Sequence, residues 1–177
     1  MPYPSLAPKH VEQLMDWVAT YIADQRLRFS KRAQPIPPDH GSMLRPFFPK
    51  DILSEVRVAQ GRASEPRFYS QLRALGIRNA PPFSDMAGIT LQDVVVHVEA
   101  LTTPLLFHEL VHAVQYKHLG LSGFAERYVR GFLKGGSYEE IPLEKQAYGL
   151  EDKFTRNPST PFSVEEDVTA WIRRNQF

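Results

Sequence analysis

Cysteine is absent from the 177-residue chain. Its absence excludes disulfide bonds, thiolate ligands to a metal ion and cysteine nucleophiles, so any chemistry has to come from other side chains. Long apolar runs are also missing, because no stretch approaches the ~18 apolar residues that a membrane-spanning helix needs. The lack of cysteine does not define a compartment.

An excess of one charge sign is missing as well. The chain has 21 basic and 20 acidic residues and a net charge of +1, so no strong overall field draws it to nucleic acid or to an anionic membrane. One basic cluster, within residues 26–32, is typical of the solvated end of a helix. We therefore expect no nucleic-acid partner and no membrane partner, and the oligomeric state stays open.

A targeting signal is the next missing feature. Residues Met1–Pro8 have neither a basic start nor an apolar run, which predicts a cytoplasmic location. Hydrophobic residues make up 42% of the chain and charged residues 23%, close to the norm for globular proteins. We expect a single domain over residues 1–177, since this length is enough to bury one substantial core.

The first 80 residues predict scaffold elements. Apolar residues at helical spacing predict an amphipathic helix over about residues 9–28. Residues 33–49 contain five prolines and are expected to form an extended surface loop. Alternation over residues 54–60 predicts a strand, and apolar spacing over residues 66–75 predicts a short helix.

The rest of the chain predicts a hairpin or bent strand followed by four helices. Two β-rich runs flank Gln92-Asp93. Thr103 as a cap and Pro104 in the first turn predict a helix start, and Gly120 predicts its end. Further helices are expected over about residues 122–134, over about residues 142–154, and after Ser163. The pattern indicates an α+β fold, with a small antiparallel or mixed sheet packed on the first of these helices and several further helices.

That first helix, over about residues 104–119, carries His108-Glu109-Leu110-Val111-His112. Histidines four residues apart lie about 40° apart around a helix, so both imidazoles can reach one ion. Glu109 projects from the flank of the pair, where it can accept a proton from water without being a ligand. The pattern predicts metal ligands at His108 and His112 and a general base at Glu109.

Apolar residues surround this motif almost completely, which marks a buried helix. Burying two imidazoles and a carboxylate is unfavourable unless another group compensates them, and a divalent ion supplies that compensation. In the alternative interpretation, His108 and His112 are core histidines satisfied by hydrogen bonds, and Glu109 forms a salt bridge.

Three residues are candidates for a third ligand, since catalytic zinc takes three protein ligands and leaves a position for water. His118 stands where the metzincin pattern H-E-x-x-H-x-x-G-x-x-H ends. However, Gln115 replaces the glycine of that pattern, and a continuous helix would place His118 about 120° from His112. Glu140 lies on the loop before the next long helix, and Glu144 lies in the first turn of that helix. Ligand chemistry alone leaves these alternatives open.

The run H-E-L-V-H-A-V-Q-Y, followed after an aromatic helix by Y-E-E-I-P-L-E-K-Q-A-Y, resembles the glutamate-zincins, or gluzincins. It is similar in particular to small bacterial zincin-like domains that carry P-x-E-x-x-A downstream of H-E-x-x-H. With the preceding I-T-L-x-D, the resemblance covers residues 85–155, the expected metal-site core. Residues 1–80, the expected N-terminal helix and scaffold, are not covered. The resemblance implies a zincin-like fold, one zinc ion and Glu144 as the third ligand.

One position departs from the better-studied gluzincins. They place an aspartate four residues after the ligand glutamate, where it holds a ligand histidine, and this chain has Tyr148 there. Glu151, Asp152 or a main-chain carbonyl are left as supports for the two histidines.

The resemblance implies a zinc metallopeptidase acting on a peptide or protein substrate. Zinc would lower the pKa of its bound water and polarise the substrate carbonyl, with Glu109 as the base. Tyr138, Tyr148 and His97 are candidates for stabilising the oxyanion. In zincins the strand before the motif helix pairs with extended substrate.

By resemblance, residues 94–98 or the Ile89-Thr90 run form that substrate-pairing edge. Peptide deformylases also carry H-E-x-x-H, but they use a cysteine ligand that this chain lacks. A second candidate function is a zinc-binding zincin-like module without catalysis, acting as a scaffold or regulator, and a third is a metal-free interaction domain. The intact Glu109 favours the enzyme, because a purely structural site needs no base.

Overall fold

The computed structural model describes residues 6–174. This part of the chain is α+β, with seven α-helices and a mixed four-stranded sheet. Most of Met1–Pro8, where a targeting signal was not found in the sequence, lies outside the described residues. Within them, no helix combines the length and the apolar composition required to cross a membrane.

Helices make up most of the described chain. They are α1 Pro8–Ser30, α2 Pro38–Leu44, α3 Lys50–Glu55, α4 Tyr69–Ala74, α5 Thr103–Gly135, α6 Pro142–Arg156 and α7 Val164–Arg173. The strands are β1 Gln34–Pro35, β2 Arg57–Gln60, β3 Gly88–Leu91 and β4 Val94–His97. A 3₁₀ turn at Tyr138–Glu140 joins α5 to α6.

The sheet has the strand order β1-β2-β4-β3, so β4 is an inner strand and β3 an outer one. β4 pairs parallel with β2 and antiparallel with β3, while β1 pairs antiparallel with β2. The two-residue turn Gln92-Asp93 joins β3 to β4, and Gln92 has a φ of 63°. Of the two predicted alternatives around this dipeptide, a hairpin or a bent strand, the structure has the hairpin.

The sheet lies between two clusters of buried apolar side chains. Val94 and Val96 of β4 belong to the first cluster and Val95 to the second, because successive side chains of a strand point to opposite faces. The first cluster also contains the buried face of α1. The second contains apolar residues of α2, α3 and α7. α5 contributes to both clusters, for example with Tyr116 to the first and Leu110 to the second.

α5 consists of two helical segments, residues 103–119 and 121–135, that meet at Gly120. Gly120 has φ 67° and ψ 174°, a left-handed conformation that favours glycine, and the helical path breaks there. The predicted end of the motif helix is therefore confirmed. The predicted cap is one residue too late, because the Thr102 hydroxyl, not that of Thr103, accepts the hydrogen bond from the main-chain N–H of Leu105.

The prediction of an extended loop over residues 33–49 is wrong. These residues include β1 and α2, and Leu44 at the end of α2 is fully buried in the second cluster. Pro38 stands in the first turn of α2, where its missing N–H would have no helical partner, so this proline begins a helix instead of breaking one. β2 is also shorter than the predicted strand, because α3 extends to Glu55.

An ion pair fastens α1 to the β3–β4 hairpin. Arg26 of α1 donates from Nε and Nη2 to the two carboxylate oxygens of Asp93, at 2.5 and 2.7 Å. Burial works to raise the pKa of Asp93, but the hydrogen bonds and charge of Arg26 outweigh it and hold this pKa below its usual range.

We predict that Asp93→Asn lowers the free energy of unfolding at pH 7 by about 0.5–1 kcal/mol, the upper range for pairs that keep contact with solvent. Because the pKa of Asp93 is lower in the folded than in the unfolded chain, this stabilisation is present above about pH 4. It is lost as the pH falls through the lowered pKa. Urea unfolding at pH 7 and pH 3 measures the difference.

The matched control is Asp152→Asn, which breaks an exposed pair with Arg156 on α6 and should have a smaller effect. Equal losses in the two variants, or an Asp93→Asn effect that is undiminished at pH 3, would contradict the prediction.

Candidate metal centre

Three buried side chains meet between α5 and α6. Nε2 of His112 lies 3.2 Å from Nε2 of His108 and 3.2 Å from Oε2 of Glu144. Nε2 of His108 lies 3.5 Å from the same carboxylate oxygen. Each of these residues is at most 5% exposed. Together they could hold a metal ion, and we refer to His108, His112 and Glu144 as the metal group.

The dimensions of the metal group suit a tetrahedral ion. Ligand atoms about 2.0–2.1 Å from zinc lie about 3.3 Å from one another at tetrahedral angles, close to the separations of 3.2, 3.2 and 3.5 Å between the atoms here. Two imidazole nitrogens that face each other at 3.2 Å also need a proton or a cation between them, because two lone pairs cannot bond to one another.

Two glycines let the chain bring Glu144 to the histidines. A Cβ on Gly131, in the second segment of α5, would lie 2.5 Å from Cδ of Pro142 at the start of α6. A Cβ on Gly135 would lie 2.4 Å from Cβ of Glu140. The end of α5 therefore packs directly against the start of α6, and Glu144 in the first turn of α6 faces the motif helix.

Hydrogen bonds on the far side of each imidazole orient its Nε2 toward the metal group. Nδ1 of His108 lies 3.1 Å from Oε2 of Glu151, and Nδ1 of His112 lies 2.8 Å from Oε1 of Gln115. A carboxylate and an amide oxygen only accept, so Nδ1 carries the proton in both rings. This second layer of contacts is the arrangement found around metal-ligating histidines.

Gln115 links the two helices that carry the metal group. Its Nε2 donates to the main-chain carbonyl of Leu143 and to Oε1 of Gln146, both at 3.0 Å. These donations fix its amide orientation, and its side chain is fully buried. The residue that breaks the metzincin pattern therefore supports His112, while Glu151 is the support for His108 among those that the sequence left open.

Two tyrosines complete the surroundings of the metal group. The hydroxyl of Tyr138 donates to Oε2 of Glu144 at 2.7 Å. The ring of Tyr148 lies against that of His108, with 4.4 Å between the ring centroids. Tyr148 therefore contacts the histidine by packing, in the place where better-studied gluzincins have a hydrogen-bonding aspartate.

The carboxylates around the two imidazoles attract positive charge. Burial works to lower the pKa of His108, but its hydrogen bonds to Glu144 and Glu151 outweigh it and raise this pKa to about 10. The pKa of Glu144 lies well below its usual range, because its interactions with both histidines outweigh burial, which would raise it. A divalent cation can take the place of the protons that the imidazoles attract.

Glu109 lies beside the metal group and is held from β3. The hydroxyl of Thr90 lies 2.6 Å from Oε2 of Glu109 and 2.8 Å from its main-chain oxygen, and it donates its single proton to one of them at a time. A Cβ on Gly88 would lie 2.6 Å from Oε1 of Glu109, so glycine leaves room for the carboxylate. Burial raises the pKa of Glu109, although the nearby histidines work to lower it.

A cavity of about 40 Å³ adjoins the metal group, and Glu109, His112 and Glu144 all line it. The apolar part of its lining comes from four parts of the chain. They are α1 with Val18 and Ile22, the segment before β3 with Phe83 and Met86, β3 with Ile89, and α5 with Tyr116, Phe124 and Tyr128. The contribution of α1 was missed by the sequence reasoning, which treated the first 80 residues as scaffold. No local signal distinguishes a helix face that covers a site from one that covers a core.

Within residues 6–174 the outer edge of β3 pairs with no further strand, and it lies beside this cavity. The register of β3 on β4 directs the main-chain groups of Ile89 toward β4 and those of Gly88 and Thr90 away from it. Gly88, Ile89 and Thr90 all line the cavity. Residues 94–98, the other run considered as a substrate-pairing edge, are excluded from that role because β4 is bonded on both sides.

The two other candidate ligands lie elsewhere. Nε2 of His118 is 3.0 Å from Oε1 of Glu165 on α7. Nζ of Lys145 is 2.6 Å from Oε2 of Glu140, and both side chains are half-exposed. Of the three candidates, the structure brings only Glu144 to the two histidines.

Comparisons with known proteins do not add to this geometry, since no family model matches the chain and no curated protein or solved structure matches it significantly.

Replacing Gln115 by leucine removes the acceptor for the Nδ1 proton of His112 and a donor to the Leu143 carbonyl. We predict that Gln115→Leu weakens zinc binding by about 10–100-fold, the usual effect of losing such a support. Competition with a chromophoric chelator measures the affinity. Gln146→Leu is the matched control, because it removes an amide that touches neither imidazole, while Gln115 keeps its bond to the Leu143 carbonyl; we expect a smaller loss of affinity. Equal affinities for wild type and Gln115→Leu would show that the contact does not orient the ligand.

Proposed function

We propose that the protein is a zinc-dependent hydrolase, specifically a metallopeptidase of the glutamate-zincin type that uses Glu109 as general base. The observation that carries this proposal is the position of Glu109. Its carboxylate lines the same cavity as His112 and Glu144 without belonging to the metal group. A site built only to hold an ion has no use for a further buried carboxylate at that place.

Zinc is favoured by the chemistry of the ligands. Two imidazoles and one carboxylate are a ligand set of catalytic zinc sites, and three protein ligands leave a position for water. Structural zinc sites are closed by four protein ligands, usually including thiolates, and this chain has no cysteine. Bound at the metal group, zinc would lower the pKa of a coordinated water and polarise a substrate carbonyl.

Glu109 is suited to accept a proton. The raised pKa of its buried carboxylate increases its basicity, and a general base works best when its pKa lies near the operating pH. Thr90 and Gly88 of β3 hold the carboxylate against the cavity on one side. The same strand therefore orients the base and offers a free edge to an extended peptide.

Of the three candidates for oxyanion stabilisation, Tyr148 is favoured. The hydroxyl of Tyr138 already donates to Glu144. His97 is bonded through Nδ1 to the main-chain oxygen of Glu99 and is only partly buried, at the end of β4. Tyr148 is 48% exposed and its ring lies against His108. Its hydroxyl has a hydrogen bond with that of Tyr138, but of the three candidates it combines contact with a ligand histidine and exposure to solvent.

A zinc-binding module without catalysis is the second candidate function, and one observation favours it. His108, Glu109, His112 and Glu144 are each at most 5% exposed, and the adjoining cavity measures only about 40 Å³. A peptide reaches such a site only if part of its cover moves.

We predict that purified wild-type protein binds one zinc ion and that Glu144→Ala binds less than a tenth as tightly, because it loses one of three ligands. His118→Ala and Glu140→Ala should keep the wild-type affinity, since neither residue lies in the metal group. Elemental analysis after dialysis measures the stoichiometry. Full retention of zinc in Glu144→Ala with loss in His118→Ala would overturn the ligand assignment.

Glu109→Gln tests the enzyme against the module. We predict that this variant still binds zinc, since Glu109 is not a ligand, and that its kcat for peptide hydrolysis falls about 10²–10⁴-fold. A fluorogenic peptide library screened with wild type, Glu109→Gln and the matched control Glu140→Gln measures the effect. Zinc binding without turnover of any peptide by wild type would favour the module.

A further inference from the structure

The segment over residues 81–86 closes one side of the cavity beside the metal group. Phe83 and Met86 of this segment line the cavity together with Glu109, His112 and Glu144. The rest of the lining belongs to α1, β3, α5, α6 and the 3₁₀ turn before α6. Residues 81–86 are therefore the part of the cover that lies outside the helices and strands.

The ring of Phe83 is the main buried contact of this segment. Of residues 81–86, Pro81 and Phe83 are buried, and the other four are partly or fully exposed. The Phe83 ring packs on Tyr21 at 5.4 Å and on Tyr128 at 5.9 Å, measured between ring centroids. It lines the cavity beside the metal group and also a second cavity of about 30 Å³. A ring that borders two unfilled spaces has fewer atoms in contact with it than a ring in a close-packed core.

Two side chains hold the main chain of the segment from outside. Nη1 of Arg62 donates to the carbonyl of Ser84 at 2.6 Å, and the hydroxyl of Tyr69 donates to the carbonyl of Pro81. Arg62 also lies 3.6 Å from Asp85 in an ion pair whose side chains are 56% and 75% exposed. The segment pairs with no strand in the described part of the chain. Few buried contacts and exposed ion pairs are typical of regions that open at a low free energy.

The reacting groups are more enclosed than an extended substrate allows. Both histidines, Glu144 and Glu109 are each at most 5% exposed, so a peptide bond reaches them only when part of the cover moves. We propose that residues 81–86 form a lid, held closed in the free protein by the contacts of Phe83, Arg62 and Tyr69, which opens to admit an extended substrate. The inference rests on the proposed function and assigns the regulation of access to that site.

The test uses two probes that bind zinc through the same group and differ in size, acetohydroxamate and N-acetyl-Ala-Ala-Ala hydroxamate. A probe that binds only the open form has an apparent affinity limited by the open fraction. We expect Arg62→Ala to bind the peptide probe about two- to fivefold more tightly than wild type, through faster association, because one exposed charged contact no longer holds the lid closed. The affinity for acetohydroxamate should not change. Surface plasmon resonance on zinc-loaded protein measures both.

Arg73→Ala is the matched control. It breaks an exposed ion pair with Glu65, at 3.6 Å, that does not involve the lid, so both affinities should stay at the wild-type values. Tyr69→Phe is the second variant, because it releases the lid at Pro81 instead of Ser84, and it should also tighten the peptide probe alone.

Lid opening can also be measured without zinc. Val18 of α1 is 6% exposed and lines both cavities that Phe83 lines. Because the chain has no cysteine, Val18→Cys introduces a single thiol under the lid. We expect a thiol reagent to label it about two- to fivefold faster when Arg62→Ala is added, and at an unchanged rate when Arg73→Ala is added.

Three outcomes overturn the lid: no binding of either probe to wild type, equal tightening of both probes in Arg62→Ala, or thiol labelling that is insensitive to Arg62→Ala. Peptide turnover measured in parallel separates this inference from the proposed function. Turnover with peptide-probe binding that does not depend on Arg62 or Tyr69 keeps the peptidase and removes the lid. Binding that depends on them, without turnover of any peptide, keeps the lid and removes the catalytic proposal.

Discussion

The constraint on which the site depends is the burial of two imidazoles and two carboxylates in a largely apolar interior. Glu109 and Glu144 cannot stay ionised there without compensation, and His108 and His112 face each other through nitrogen atoms that repel unless positive charge lies between them. The surrounding hydrogen bonds do not supply this positive charge. They engage each imidazole through its Nδ1 proton, which is donated to Glu151 or Gln115, and so leave the two Nε2 atoms facing each other. A divalent cation at the metal group would satisfy the whole arrangement. The ability of the site to bind an ion therefore depends on how α5 packs on α6.

Glycines and short connections allow the close packing that brings these side chains together. Gly131 and Gly135 let α6 begin against the end of α5, so that a glutamate in its first turn reaches histidines more than thirty positions earlier in the chain. On the opposite flank, Gly88 gives the Glu109 carboxylate room beneath β3. The Arg26–Asp93 pair fixes the hairpin that carries β3 to α1. Each contact is local, yet together they determine where the metal group and Glu109 lie.

Much of this architecture can be predicted from the sequence wherever the signal is local. The spacing of His108 and His112, the break at Gly120 and the hairpin at Gln92-Asp93 depend on neighbouring residues and on backbone preferences. The contacts that hold the site residues in place are different. Thr90 and Glu109 are nineteen positions apart in the chain, and the contacts of Gln115 with Leu143 and Gln146 form only when α6 packs beside α5. Predicting such contacts requires the packing itself. The loop wrongly predicted over residues 33–49, where the structure has α2, has another origin. Proline breaks a helix from within but is favoured in its first turn, so its presence alone does not exclude a helix.

The same packing indicates which part of the cover over the metal group is held least firmly. Moving α1 would expose several buried apolar side chains, at about 1.5–3 kcal/mol each, and would break the Arg26–Asp93 pair. The segment over residues 81–86 has no regular secondary structure. It is anchored mainly by the buried ring of Phe83, stacked on Tyr21, and by hydrogen bonds from Tyr69 and Arg62 to its main chain. Displacing one aromatic ring and a few hydrogen bonds is far less unfavourable than displacing a 23-residue helix. Of the elements that line the cavity beside the metal group, the segment around Phe83 is therefore the one whose displacement is least unfavourable.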